Sequence, residues 1–133
     1  MYSVEAVGRL LQVRLASPLD AESAARFVEK SRLLMLTARE KVVTASDLRQ
    51  LTVLSPEVAD FMTTLMVRNG PKIERSSFLV VNLQSSLGMQ LVRMMSASKS
   101  PGRRVFDRAD EAASYLEEVL TEPERLALRK FLA

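Results

Sequence analysis

The apolar residues of this chain change their spacing repeatedly, from every second position to every third or fourth and back again. Residues 2–7 and 10–16 alternate with period two on either side of Gly8, which predicts two strands joined by a tight turn. From Asp20 onward the spacing becomes helical, which predicts a first helix over about 20–37. Strands that alternate with helices of this length form crossover units with parallel strands. The pattern therefore predicts an α/β protein in which only the N-terminal strand is antiparallel.

The middle of the chain continues the alternation. Residues 41–48, KVVTASDL, predict a buried strand, and residues 76–83, SSFLVVNL, predict another that is covered on both faces. Between them lies an apolar stripe at helical spacing, which predicts a second helix with a buried face. The stripe consists of Val58, Phe61, Met62, Leu65 and Met66. Residues 69–71, Asn-Gly-Pro, are a strong stop signal for that helix.

The C-terminal third predicts one more strand and three helices. Apolar positions within residues 87–95 have helical spacing, and RRVF at 103–106 predicts a short strand. Asp107 is the predicted N-cap of the helix that follows this strand. Thr121 and Glu124 have the spacing of a capping box and start a final helix. The whole chain is thus expected to contain about five strands and four to five helices.

The length of 133 residues, with 47% hydrophobic and 26% charged residues, is typical of one domain. We predict a single domain over residues 1–133, with the short extra helix at about 121–131. The first 16 residues carry regularly spaced charges, which predicts neither a secretory signal nor a membrane span. A cytoplasmic location is the corresponding expectation.

Catalysis has little support in the sequence. The chain has no cysteine and no histidine, which removes thiol chemistry, the usual general base and the usual transition-metal ligand. No carboxylate pair is fixed by local spacing, and four glycines form no phosphate-binding loop. We therefore expect no enzyme activity, no cofactor and no metal site.

Basic residues are concentrated in the middle of the chain, where residues 68–108 hold eight basic and two acidic groups. The basic residues are scattered over predicted loops and helix faces, without interleaved aromatic residues. A solvated surface is therefore favoured over nucleic-acid binding.

A family resemblance appears when the elements are compared as ordered blocks. The blocks are RLASPLDAESA, VVTASDLRQLTVLSPEVADFM, FLVVNLQSSLGMQLVRMM and RRVFDRADEAASYL, and they resemble the STAS domain, the sulfate-transporter and anti-sigma-factor-antagonist module. The similarity covers roughly residues 5–120. Leu19 and Asp20 stand in the family's Gly-x-Leu-Asp turn, with Ser17 in place of the glycine, and Asp47 stands in its Asp-Leu pair. The resemblance implies a mostly parallel βα superhelix that works by binding other proteins, often under kinase control.

Regulated members of the family carry a phosphorylated hydroxyl residue before the second helix. Counting from Asp47 without gaps places Ser55 on the family's aspartate and Pro56 on its phosphoacceptor; a shift of one residue places Ser55 on the acceptor. Ser55 also suits an N-cap, Pro56 the first helical position and Glu57 the positive end of a helix. We favour the cap over a phosphorylation site, so the domain is expected to lack the standard switch.

The favoured hypothesis for function is a regulatory module that binds a protein partner through the loop and helix around residues 52–67. The resemblance implies a kinase-like, sigma-regulatory or scaffold protein as that partner. The expected contact residues are Ser55, Pro56, Glu57, Asp60, Thr63 and Thr64. A homodimer through the open sheet edge of the first strand is a further alternative.

The second hypothesis is a small-molecule or lipid sensor, since ligands of open α/β sheets lie outside the carboxyl ends of the strands. The polar residues expected there are Ser17, Asp47, Gln84, Ser85 and Ser86. Five methionines would add an adaptable apolar wall, namely Met62, Met66, Met89, Met94 and Met95. Helix capping is the alternative role for the polar set, and core packing is the alternative for the methionines.

Overall fold

One five-stranded sheet organises residues 1–133, all of which are described by the computed structural model. The strands are β1 (Tyr2–Val7), β2 (Leu10–Ala16), β3 (Val42–Gln50), β4 (Ile73–Leu79) and β5 (Arg103–Phe106). They lie in chain order across the sheet, so β1 and β5 form its edges. β1 is antiparallel to β2, and all other neighbours are parallel. The predicted α/β class with an antiparallel N-terminal strand is confirmed.

Five helices connect or follow the strands. They are α1 (Ala21–Leu36), α2 (Pro56–Asn69), α3 (Ser86–Ser98), α4 (Ala109–Glu117) and α5 (Glu122–Leu132), with a 3₁₀ turn at Gly70–Lys72. β4 ends at Leu79, before the end of the predicted apolar run. Val81 and Leu83, which belong to that run, lie exposed in the loop toward α3. None of the helices has the length and apolar character that crossing a bilayer requires.

The starts of the last two helices test the predicted capping residues. At α5 the N–H of Thr121 donates to Glu124 Oε1 at 2.9 Å, which is the reciprocal bond of the predicted capping box. At α4 the prediction is wrong, because Arg108 and not Asp107 occupies the N-cap position, without a side-chain cap bond. Asp107 Oδ2 instead accepts a long hydrogen bond, 3.4 Å, from the N–H of Leu83. The carboxylate thus serves the loop after β4, one residue before the helix begins.

Helices cover both faces of the sheet. The α1–α3 layer packs on one face around a cluster of 16 buried apolar residues, and the α4–α5 layer packs on the other around a cluster of ten. Successive side chains of a strand point to opposite faces, so Leu10 of β2 joins the α4–α5 layer while Leu11 packs against Met35 of α1. Leu128 of α5 is fully buried, so the extra helix is part of the second layer.

The α3 helix approaches the loop after β4 most closely at Gly88. A Cβ atom at this position would lie 2.5 Å from the carbonyl oxygen of Leu83 and 2.9 Å from that of Asn82. Alanine normally stabilises a helix relative to glycine by about 0.5–1 kcal/mol. We expect Gly88→Ala to do the opposite and to lower the free energy of unfolding by about 1–3 kcal/mol, because two backbone carbonyls must move. Urea denaturation measures the change.

The matched control is Ser96→Ala at an exposed position of the same helix. This change meets no packed backbone, so its effect should stay within about 0.5 kcal/mol. A Gly88→Ala variant more stable than the native protein would contradict the close approach of α3 to the loop.

Candidate functional site

The predicted docking segment lies on the surface where α2 begins. Ser55 is the N-cap of this helix, and its Oγ accepts a hydrogen bond from the N–H of Val58 at 3.2 Å. Pro56 is the first helical residue, Glu57 lies in the first turn, and all three residues of this Ser-Pro-Glu start are exposed. The capping role predicted for Ser55 is confirmed.

A shallow groove along α2, which we call the α2 groove, brings together three of the six predicted contact residues. It is lined by Val28, Glu57, Asp60, Phe61, Thr64, Leu65 and Arg68 and has a volume of about 250 Å³. Thr64 Oγ1 donates to the carbonyl of Asp60 at 3.1 Å, which leaves the acceptor side of the hydroxyl open. Thr63 lies outside the lining, half-buried, and its Oγ1 donates to the carbonyl of Ala59 at 2.8 Å. Glu57, Asp60 and Thr64 therefore share one surface, whereas Thr63 lies outside it.

Phe61 differs from the sequence prediction, which placed it in the buried stripe of this helix. The residue is 44% exposed and lines the α2 groove. The buried apolar positions are Val58, Met62 and Met66, which are spaced four residues apart along one face; Asn69 at the end of the helix is also buried. The five apolar residues of the predicted stripe cover a wider arc of the helix than the buried face does. This excess width is the only feature of the sequence that indicates an exposed Phe61 ring.

Exposed apolar side chains are more frequent on α2, on α3 and in the loops that enter these helices than elsewhere, and one of them, Phe61, lines the α2 groove. Seven of the eleven exposed large apolar residues belong to α2, to α3 or to the loops that enter these helices. They are Val53, Phe61, Val67, Val81, Leu83, Met89 and Val92. α3 is bonded to the loop before α2, since the N–H of Leu54 donates to Gln90 Oε1 at 2.9 Å and Gln90 Nε2 donates to the carbonyl of Leu54 at 3.0 Å.

The five polar residues predicted for a ligand site do not form one cluster. They are Ser17, Asp47, Gln84, Ser85 and Ser86, and no hydrogen bond joins any two of them. Ser17 Oγ accepts the N–H of Thr52 at 2.9 Å. Ser85 Oγ caps α3 by accepting a backbone N–H at 3.0 Å, and Gln84 and Ser86 are exposed beside it. The two serines with bonded hydroxyls thus stabilise a turn and a helix start.

Asp47 is the buried centre of an ion-pair cluster on the α4–α5 side of the sheet. Its carboxylate accepts hydrogen bonds from Arg14 Nε at 3.2 Å and from Arg49 Nε at 2.9 Å. The same arginines donate to the last carbonyls of α5, Arg14 to Phe131 at 2.8 Å and Arg49 to Leu132 at 3.1 Å. Burial raises the pKa of Asp47, but the hydrogen bonds from Arg49 and Arg14 outweigh burial, and its pKa lies below the usual value. Asp47 therefore connects β2, β3 and the C-terminal end of α5.

A cavity of about 110 Å³ lies behind α2, between the sheet and the α1–α3 layer. Most of its lining is apolar, including Met35 from α1. Three of the five methionines that were predicted to form an apolar wall also line it: Met62, Met66 and Met94. Met89 is 59% exposed on the outer side of α3. The cavity was not expected from the sequence, because its walls come from four strands, three helices and a loop.

The chain matches no model of a known protein family, and no curated protein is a significant match to it. Its function must therefore be argued from its own geometry. The features available are the α2 groove, the apolar surface around α2 and α3, and the cavity behind them.

Proposed function

We propose that the protein is a non-catalytic regulatory module of the bacterial STAS type that binds a partner protein through the α2 groove. The observation that carries this proposal is the groove itself, where the exposed ring of Phe61 lies among Glu57, Asp60 and Thr64. An aromatic anchor flanked by polar and charged groups is typical of protein contact surfaces. The sheet has its strands in chain order from β1 at one edge and is mostly parallel, which agrees with the fold that the resemblance implies. The module would act in the cytoplasm on a kinase-like, sigma-regulatory or scaffold protein.

The charges along the groove indicate the chemistry of the partner. Glu57 and Asp60 lie one turn apart toward the start of α2, and both are exposed. Arg68 lines the groove near the other end of the helix. A complementary segment would place a basic residue opposite the two acids and an apolar side chain against Phe61. Exposed charges of this kind guide association and select partners more than they add affinity.

The start of α2 bears on regulation. Pro56 stands where the resemblance places the phosphoacceptor, and proline has no hydroxyl to accept a phosphate. The neighbouring Ser55 hydroxyl is the helix cap. Docking would therefore proceed without the standard phosphorylation switch, and control would come from the level of the partner or from another signal.

Two substitutions in the groove test the proposal. We expect Phe61→Ala and Asp60→Arg each to weaken binding of the partner by at least about tenfold, because one removes the anchor and the other reverses a complementary charge. The partner would be isolated by cross-linking in the native cell, identified by mass spectrometry and purified. Isothermal titration calorimetry would then give the affinity of each variant.

Leu126→Ala is the matched control, because Leu126 is a 68% exposed apolar residue on α5, at the opposite face of the sheet. Its affinity for the partner should equal that of the native protein. A partner that binds the two groove variants as tightly as the native protein would contradict docking on α2. A partner lost only with Leu126→Ala would place the contact on α5.

A further inference from the structure

The cavity behind α2 is lined by polar side chains of the sheet, by methionines of the helices and by the polar helix residues Ser31 and Asn69. We propose that it binds a short-chain carboxylate, with the carboxylate group at Arg103 and the hydrocarbon tail against the methionines. This site lies inside the domain, separate from the α2 groove, and the inference does not depend on the proposed docking function.

The polar groups form a row across three neighbouring strands. Thr44 of β3 is the register partner of Ser76 in β4, and Ser76 is the register partner of Arg103 in β5. All three residues are buried and line the cavity. The hydroxyls of Thr44 and Ser76 are hydrogen-bonded to each other. The row therefore places two mutually bonded hydroxyls and a guanidinium in the wall of the same cavity.

Arg103 is the only charged residue in the cavity lining, and it is 7% exposed. Its Nη1 donates to Ser98 Oγ at 3.1 Å and its Nη2 donates to the carbonyl of Met66 at 2.5 Å. A guanidinium has about five N–H donors, so several are left over. None of the ion pairs of the protein includes Arg103. A buried cation without a counter-ion is unfavourable, and a bound anion would neutralise it.

Ser31, in the part of the cavity wall that α1 forms, supplies a second, independent observation. It belongs to α1, lines the cavity and is 5% exposed. Its Oγ has no hydrogen-bond partner in the protein. Buried hydroxyls are almost always hydrogen-bonded, so an unpartnered one in the cavity lining requires a polar partner from inside the cavity, which one oxygen of the carboxylate would supply.

The cavity volume limits the size of the ligand, and the side chains that line the cavity indicate its chemical class. A cavity of about 150 Å³ accommodates benzene, so the volume of about 110 Å³ suits a molecule of about four to five non-hydrogen atoms, and butanoate, with six, fits when the walls yield slightly. The four methionine side chains that line it are flexible and can adjust to a short alkyl chain. Together with the unpaired guanidinium, this favours a short monocarboxylate over a neutral or a long-chain molecule.

Methionine methyl groups give a direct measurement. We would titrate the protein, labelled with ¹³C at the methionine methyls, with butanoate and record the methyl spectrum. The cavity methionines Met35, Met62, Met66 and Met94 should shift and saturate together, while the exposed Met1 and Met89 should not move. The neutral probe 1-butanol, which has the same chain length, should bind at least about tenfold more weakly.

Two variants distinguish the contribution of the Arg103 charge to binding from that of the cavity volume. Arg103→Gln should weaken butanoate binding at least about tenfold and leave binding of 1-butanol unchanged. Ser31→Leu should fill the cavity, abolish binding of both probes and raise the unfolding temperature. If Arg103→Gln does not fold, the comparison of butanoate with 1-butanol on the native protein decides. Equal binding of the two probes, or no saturable shift at the four cavity methionines, would overturn the proposal.

Discussion

Replacement of Leu128 by alanine is expected to lower the free energy of unfolding by about 2–5 kcal/mol. Leu128 has no exposed surface and belongs to the apolar cluster beneath α4 and α5. The substitution removes three buried carbon atoms and leaves a cavity that the sheet and α4 can refill only in part. Urea denaturation followed by circular dichroism measures the loss.

The control for this prediction is Leu126→Ala, two residues earlier on the same helix. Leu126 is 68% exposed, so the same atoms are removed from solvent-facing surface and the change should stay within about 0.5 kcal/mol. Equal stability of the two variants would mean that α5 does not pack on the sheet.

Polar contacts at both ends of α5 support this packing. Near its start, Glu124 Oε2 accepts the N–H of Arg9 in the hairpin turn at 2.9 Å. At its end, the carbonyls of Phe131 and Leu132 accept hydrogen bonds from arginines of β2 and β3. Burial raises the pKa of Glu124, but hydrogen bonds from the N–H groups of Thr121 and Arg9 outweigh it and lower that pKa. α5 is thus bonded to the sheet at both ends as well as through its apolar face.

Local sequence patterns predicted most of the secondary structure because strand and helix periods differ sharply. The hairpin of residues 2–7 and 10–16 was predicted with its observed bounds. Gly8 in its turn adopts a left-handed conformation (φ +59°) that few other residues accept, so a glycine between two strand patterns is a reliable sign of the turn. Ser55 was recognised as a cap because capping depends only on residues within one turn. The misplaced cap at Asp107 shows the limit of this reasoning, because its carboxylate accepts the N–H of Leu83, a residue distant along the chain that local spacing does not bring into view.

The candidate sites depended on contacts between distant parts of the chain. Thr44, Ser76 and Arg103 are separated by about 30 residues each, and only the register of three strands brings them into one row. Asp47 was predicted to face a ligand because it lies near the end of a strand. The strand alternation turns its side chain toward the α4–α5 layer, where Arg14 and Arg49 hold it. Local spacing indicates neither which helix layer covers a given face of the sheet nor which residues pair with a charge.

Asp47→Asn is expected to lower the free energy of unfolding at pH 7 by about 2–3 kcal/mol. The amide cannot accept all the hydrogen bonds of Arg14 and Arg49, and the two arginines lose their buried counter-charge. The estimate is below that for a fully buried pair because the side chains of Arg14 and Arg49 are 41% and 34% exposed. Asp60→Asn is the control, since it removes the same charge from an exposed site on α2 and should change stability by less than about 0.5 kcal/mol.

The pH dependence of this loss distinguishes the carboxylate charge from packing. The pKa of Asp47 is lowered in the folded protein, so its ionised form stabilises folding at pH values above its ordinary pKa, near 4, and this stabilisation disappears as the pH falls through the folded pKa. The stability difference between the native protein and Asp47→Asn should therefore be constant between about pH 7 and 5 and shrink below about pH 4. Other carboxylates, including Glu124, titrate in the same range, so the difference between the two proteins is the relevant quantity and not the native curve alone. Urea midpoints measured at several pH values provide it. A difference that stays the same down to pH 3 would show that shape, and not charge, makes Asp47 necessary.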